Sequence, residues 1–215
     1  MTATFLLDVD NTLLDNDGLK AWCDRRVGEI VGEREAQRFW DLYEWTRHDT
    51  GVVDYPTTIE RFRGEVGPAV ADQIERALVD APFAEFLFDG AIDAIDWLWS
   101  IGTVVIFSDG DPTYQPLKIE RAGLASAARG NVLVYPQKEA HLDEATGRFP
   151  ARHYAHVDDK ASLLASTKAR LHGRVTTVHV RQGHYADDPP NGAQPDITID
   201  RIGELRAVPP ARLGA

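Results

Sequence analysis

From Ala91 onward, short unbroken apolar runs alternate with stretches whose apolar residues recur every three or four positions. TVVIF (Thr103–Phe107), NVLVY (Asn131–Tyr135), HYAHV (His153–Val157) and RVTTVHV (Arg174–Val180) read as strands, and DITID (Asp196–Asp200) as a shorter one. AIDAIDWLWSIG, PTYQPLKIERAGL and KASLLASTKARLHG read as helices, with Pro112 expected in the first turn of the second. Near the N-terminus, TATFLLDV (Thr2–Val9) is another run of the strand kind. Strands that are apolar throughout need cover on both faces, and strands separated by helices are joined by crossovers. The chain is therefore constrained to an α/β fold with a doubly wound, mainly parallel, Rossmann-like sheet.

One block breaks this rhythm. From Gly18 to about Ala81, LKAWCDRRVGEIVG, EREAQRFWDLYEWTRHD and GPAVADQIERALVDA read as amphipathic helices with no strand among them, and Gly51 and Pro56 mark a loop inside the block. That is too long for an ordinary connection. It follows the first strand directly, at the carboxyl edge where open α/β sheets bind ligands. The expected organisation is a core of residues 1–15 and 86–215 carrying a helical cap of residues 16–85.

Composition narrows the function. The chain has 215 residues, with 34 acidic against 23 basic side chains and a formal net charge of -11. That balance argues against nucleic-acid binding, which needs clustered Lys and Arg. No apolar run approaches the roughly 18 residues of a membrane span, and no basic segment precedes the short apolar run near the N-terminus. The single cysteine, Cys23, excludes an intramolecular disulfide. A cytoplasmic protein, monomeric or homodimeric, is expected.

The candidate chemistry sits at the ends of the apolar runs. Asp8 and Asp10 close the first, and strand periodicity aims both carboxylates the same way. Two such groups repel unless a cation joins them, although D-x-D alone also fits a solvated turn. Ser108 closes the second run, where its hydroxyl and the backbone after it, at Asp109 and Gly110, could hold an anion or simply cap a turn. Lys138 follows the third run and suits a phosphoryl oxygen. Lys118 is its competitor, but KIERAG reads as a water-exposed helix. Asp158 and Asp159 close the fourth run, as oxygen ligands for Mg2+ or as a helix cap. His153 and His156, three apart, face opposite sides of a strand and form no metal site.

Taken in order, LLDVDNTLL, VVIFSDG, Lys138 and HVDDK make this chain resemble the haloacid dehalogenase-like (HAD) hydrolases. The resemblance covers residues 2–14 and 86–200, and the helical block fits the cap that this superfamily inserts after its first motif. It implies that Asp8 is a nucleophile carrying an aspartyl-phosphate and that Asp10 is the general acid and then the base. It further implies that Ser108, the Asp109 N–H and Lys138 hold phosphoryl oxygens. The implied Mg2+ ligands are Asp8, the Asp10 carbonyl and Asp159, with Asp158 either a further ligand or a group that orients one. Dehalogenases of the superfamily lack the acid at position 10, so the implied activity is a Mg2+-dependent phosphatase acting on a small phosphorylated metabolite. A phosphotransferase or mutase and a 2-haloacid dehalogenase are the enzymatic alternatives, and a signalling receiver or a binding module the non-enzymatic ones. The pool for substrate selection is Trp22, Arg25, Arg26, Trp40, Tyr43, Trp45, Arg47 and His48, with Arg47 and His48 placed to meet an anionic substrate.

Overall fold

The structure is a computed structural model and describes residues 3–50, 55–189 and 192–215. Strand β1 (Ala3–Leu7) leads into four helices, α1 (Asn16–Val31), α2 (Glu33–Thr50), α3 (Tyr55–Val66) and α4 (Pro68–Val79). The chain then runs through α5 (Ala91–Trp99), β2 (Gly102–Asp109), α6 (Tyr114–Arg121), α7 (Leu124–Ala127) and β3 (Val132–Tyr135). It closes with α8 (Leu142–Arg148), β4 (Tyr154–Asp158), α9 (Ala161–Leu171), β5 (Val175–Val180) and β6 (Ile197–Ile199). All six strands are parallel, in the order β3-β2-β1-β4-β5-β6.

Strand periodicity sorts the apolar runs onto two faces. Phe5, Leu7, Val104 and Ile106 pack on one side with most of the helices, while Leu6, Val105, Phe107 and Leu133 pack on the other against Leu142, Ala145 and Tyr154. β1 is buried along its whole length, as a central parallel strand must be. The larger cluster continues without a break into the helical block through Val27, Phe39, Phe62 and Ile74.

Two local expectations change. Pro56 lies in the first turn of α3, where its missing N–H costs nothing, so it opens a helix and marks no loop. Gly51 lies outside the described residues. Pro112 precedes α6, because the Asp111 carboxylate accepts from the N–H groups of Thr113 (2.9 Å) and Tyr114 (2.6 Å) and delays the first helical turn.

The chain leaves the sheet for the helical block and returns along neighbouring paths. Asp15 N–H donates to the Phe86 carbonyl (2.8 Å) and Phe88 N–H to the Leu13 carbonyl (3.0 Å), pinning the outgoing and returning segments together. Connections run from β1 outward on one side and from β4 outward on the other. The reversal falls between β1 and β4, and the carboxyl ends of those two strands open the crevice in which such sheets bind ligands. Among the described residues no helix is long and apolar enough to cross a membrane.

Candidate active site

Strand order brings distant residues together. β3, β2, β1 and β4 are successive neighbours, and their carboxyl ends carry Lys138, then Ser108 and Asp109, then Asp8, then Asp158 and Asp159. Adjacent strands stand about 4.8 Å apart, so side chains at their ends reach one another. The Lys138 ammonium donates to Asp8 Oδ1, lies 2.7 Å from Asp158 Oδ2, and is 4.0 Å from Asp109 Oδ2. The Lys138 N–H donates to Asp109 Oδ1 at 2.7 Å, which ties the β3 loop to the end of β2.

The loop after β1 is built to hold Asp8. Asn11 takes a positive φ of 58°, a conformation Asn tolerates, and the N–H groups of Thr12, Leu13 and Leu14 turn back onto the Val9 carbonyl at 2.9–3.2 Å. Asn11 Oδ1 then accepts from the N–H groups of Asn16 (3.0 Å) and Asp17 (3.2 Å) at the start of α1. Thr12 Oγ1 donates to Asp8 Oδ2 (3.1 Å) and accepts from the Asp159 N–H (3.0 Å), so one buried hydroxyl joins the nucleophile candidate to the β4 acids. Thr12→Val keeps the shape but strands the Asp159 N–H. It is expected to cost about 1–3 kcal/mol of stability, read from denaturant melts.

Asp8, Asp158 and Asp159 each offer an oxygen, all within 4.8 Å of one another. Asp158 Oδ1 accepts from the Lys160 N–H at 2.8 Å, whereas both Asp159 oxygens are buried with no hydrogen-bond partner. Burial, then the charges of Asp158 and Asp8, push the Asp159 carboxyl up to about 9. Burial likewise raises Asp8, against the pull of Lys138, to about 6. Burial would raise Asp158 too, but Lys138 and His156 outweigh it and hold that group well below the usual carboxylate range. A buried, unpartnered carboxylate is costly, and a hard divalent cation is the partner this oxygen set fits. Side-chain oxygens of Asp8, Asp158 and Asp159 form that set, while the Asp10 side chain is turned elsewhere.

Lys118 and Asp10 depart from the sequence reading. Lys118 is 3% exposed, not solvated, because α6 directs Tyr114, Gln115, Lys118 and Ile119 inward. Its ammonium lies 2.5 Å from Asp10 Oδ1 and 3.2 Å from Asn16 Oδ1. Gln115 Nε2 donates to Ser108 Oγ at 2.9 Å and to Asp10 Oδ2 at 3.4 Å. A Cβ on Gly110 would stand 2.5 Å from Gln115, so glycine is required there. The 3.6-residue spacing of Gln115 and Lys118 was legible beforehand, but a face with a Lys and a Gln on it reads as solvent-facing until a buried carboxylate is known to oppose it.

These residues border a cavity of about 500 Å³, within the range for small-molecule sites. Asp10, Asp109, Lys118 and Asp159 line its floor, and Lys20, Tyr43, Arg47 and Tyr55 its helical side. Of the pool read from sequence, Tyr43 and Arg47 reach it, and Trp22, Arg25, Arg26, Trp40, Trp45 and His48 do not. Trp45 is instead exposed beneath the Arg61 guanidinium, 4.1 Å from its ring. His153 meets Thr176 and His156 meets Thr167, each at 2.9 Å, and neither joins the acid cluster as a ligand.

A doubly wound parallel sheet with an acid cluster at its switch point, under a helical insertion, defines a Rossmann-like protein with a charged catalytic-type crevice. The chain belongs to the haloacid dehalogenase-like hydrolases. It is 39% identical, over 98% of each chain and with a TM-score of 0.90, to a protein assigned as a haloacid dehalogenase-like hydrolase from Burkholderia xenovorans LB400. Two more distant structures share the fold. An HAD phosphatase from Thermococcus onnurineus is 20% identical over 96% of this chain and 97% of that one, with a TM-score of 0.63. L-2-haloacid dehalogenase from Xanthobacter autotrophicus, with chloropropionic acid covalently bound, is 17% identical over 96% and 98%, with a TM-score of 0.61. No family model and no curated protein matches the chain.

Proposed function

We propose that this protein is a Mg2+-dependent phosphatase that hydrolyses a small phosphate monoester through an aspartyl-phosphate on Asp8. The observation that carries the reading is a division of labour among carboxylates in one crevice. Three are clustered, with both oxygens of Asp159 unpartnered, and a fourth, Asp10, stands apart along the cavity. A dehalogenase needs a nucleophile but no proton donor for a departing halide. An alkoxide needs one.

In this reading an Asp8 oxygen attacks phosphorus and the bond from phosphorus to the leaving oxygen breaks. Asp10 gives that oxygen a proton. Asp10 then takes a proton from water as the water attacks phosphorus, which releases inorganic phosphate and restores Asp8. Ser108, the Asp109 N–H and Lys138 steady the phosphoryl oxygens, and positioning of this kind supplies most of the catalysis in phosphoryl transfer. Asp8, Asp158 and Asp159, with the Asp10 carbonyl, would hold Mg2+, which would supply positive charge against those oxygens.

Residues 16–85 serve as the cap in this scheme and residues 1–15 and 86–215 as the core. On the cap side Lys20 and Arg47 share one acid, Glu44, at 3.3 Å each, which leaves that wall suited to a polar or anionic leaving group. A small phosphorylated metabolite fits both volume and charge.

The test is phosphate release from an aryl phosphate and from a primary alkyl phosphate, beside halide release from 2-chloropropionate. Phosphate release with Mg2+ is expected, falling on the order of 100-fold or more in EDTA. Halide release without phosphate release would establish the dehalogenase reading in its place, and phosphoryl transfer to a sugar rather than to water the phosphotransferase one.

A further inference from the structure

We infer that Lys118 is a positioning residue for the acid step: its buried ammonium, braced by Asn16, fixes the Asp10 carboxyl where it faces the cavity and the departing oxygen. The inference rests on the phosphatase reading above and goes further, because none of the motifs at the four strand ends includes Lys118.

The geometry is specific. Lys118 reaches the end of β1 from α6, 108 residues away in sequence, and its ammonium is enclosed by Asp10 Oδ1 at 2.5 Å and Asn16 Oδ1 at 3.2 Å. Its side chain is 4% exposed, whereas that of Asp10 is 31% exposed. The lysine therefore backs the acid from inside the protein while the acid faces the cavity, which it lines. Gln115, one turn earlier on α6, bonds both Asp10 and the Ser108 hydroxyl. One helix face thus sets the acid relative to the phosphoryl-binding hydroxyl.

The contacts give the arrangement its direction. The Lys118 ammonium holds Oδ1 and the Gln115 amide holds Oδ2, so both oxygens of the Asp10 carboxyl are fixed before the leaving group departs. A preoriented acid avoids the cost of finding its geometry during the reaction. The second cation, Lys138, is committed to Asp8 and Asp158, so the two lysines divide the site between nucleophile and acid.

The consequence depends on the leaving group. An alkoxide must be protonated as it departs, while a nitrophenolate leaves unaided. The kcat/KM value reports steps up to alcohol release and excludes the later hydrolysis of the phospho-enzyme. Lys118→Met, which keeps the volume, and Lys118→Gln, which keeps polarity, are compared with the full wild-type chain in Mg2+. The substrates are p-nitrophenyl phosphate and a primary alkyl phosphate. General acid catalysis is worth about 10²–10⁴-fold, so the aryl-to-alkyl ratio of kcat/KM is expected to rise by roughly 30-fold or more in each variant that folds. A loss of similar size on both substrates, or a ratio within threefold of wild type, overturns the inference while leaving the phosphatase reading intact. Absence of phosphate release by the wild-type protein from either ester overturns both.

Discussion

Asp8→Asn is expected to lower phosphate release by roughly 10⁴-fold or more in kcat with little change in the fold, because an amide cannot take up a phosphoryl group. The side chain is buried at the end of β1, and Asn matches its shape. Lys138 lies 2.7 Å from Asp158 as well, so the substitution leaves the ammonium a carboxylate partner. Burial raises the Asp8 carboxyl only to about 6, so the nucleophile is ionised at pH 7.5, where the assay is run. The measurement is kcat for p-nitrophenyl phosphate beside a thermal melt. Activity within tenfold of wild type would remove Asp8 from the mechanism.

The second large effect is on stability without metal. Asp159 is ionised in the unfolded chain above about 4, but burial and the neighbouring charges of Asp158 and Asp8 push it up to about 9 in the fold. Between those values the folded state holds a proton that the unfolded state has lost, so stability falls as pH rises. From pH 7 to 8.5 the loss is about 2 kcal/mol, or roughly 4–8 °C in Tm for a chain of this size. Other shifts contribute little in that window. Asp8, raised to about 6, and His156, held below its usual range, have finished acting by pH 7, and the raised pKa of Lys138 matters only above its ordinary value. Asp159→Asn carries no proton to lose. In EDTA it is expected to melt above wild type at pH 8.5, with a flatter pH profile, and to lose the stabilisation that Mg2+ gives wild type. An unchanged pH profile, or an undiminished Mg2+ response, would show that Asp159 is neither strained nor a ligand.

How far these residues were legible depended on how local their signal is. Runs such as FLL and VVIF report burial by themselves, because every side chain in them is apolar and a parallel strand is covered on both faces. Their carboxyl ends were therefore locatable, and with them Asp8, Ser108 and Asp158. The helices of the insertion were visible through an equally local signal, apolar residues three and four apart, except α3, where Pro56 resembles a loop signal until it is seen to occupy a first turn.

Lys118 was hidden for the opposite reason. A lysine on a helix has the same local pattern whether water or a carboxylate faces it, and only the packing of α6 against the end of β1 distinguishes the two. The same holds for Tyr43 and Arg47, which reach the cavity while Trp40 and His48 in the same helix do not. By itself the sequence determined the strand ends and the order of the acids along them, since each depends on neighbours within a few residues. Only the tertiary structure decided which acids cluster and which one is backed by Lys118, because strand order β3-β2-β1-β4 sets those distances and chain order does not.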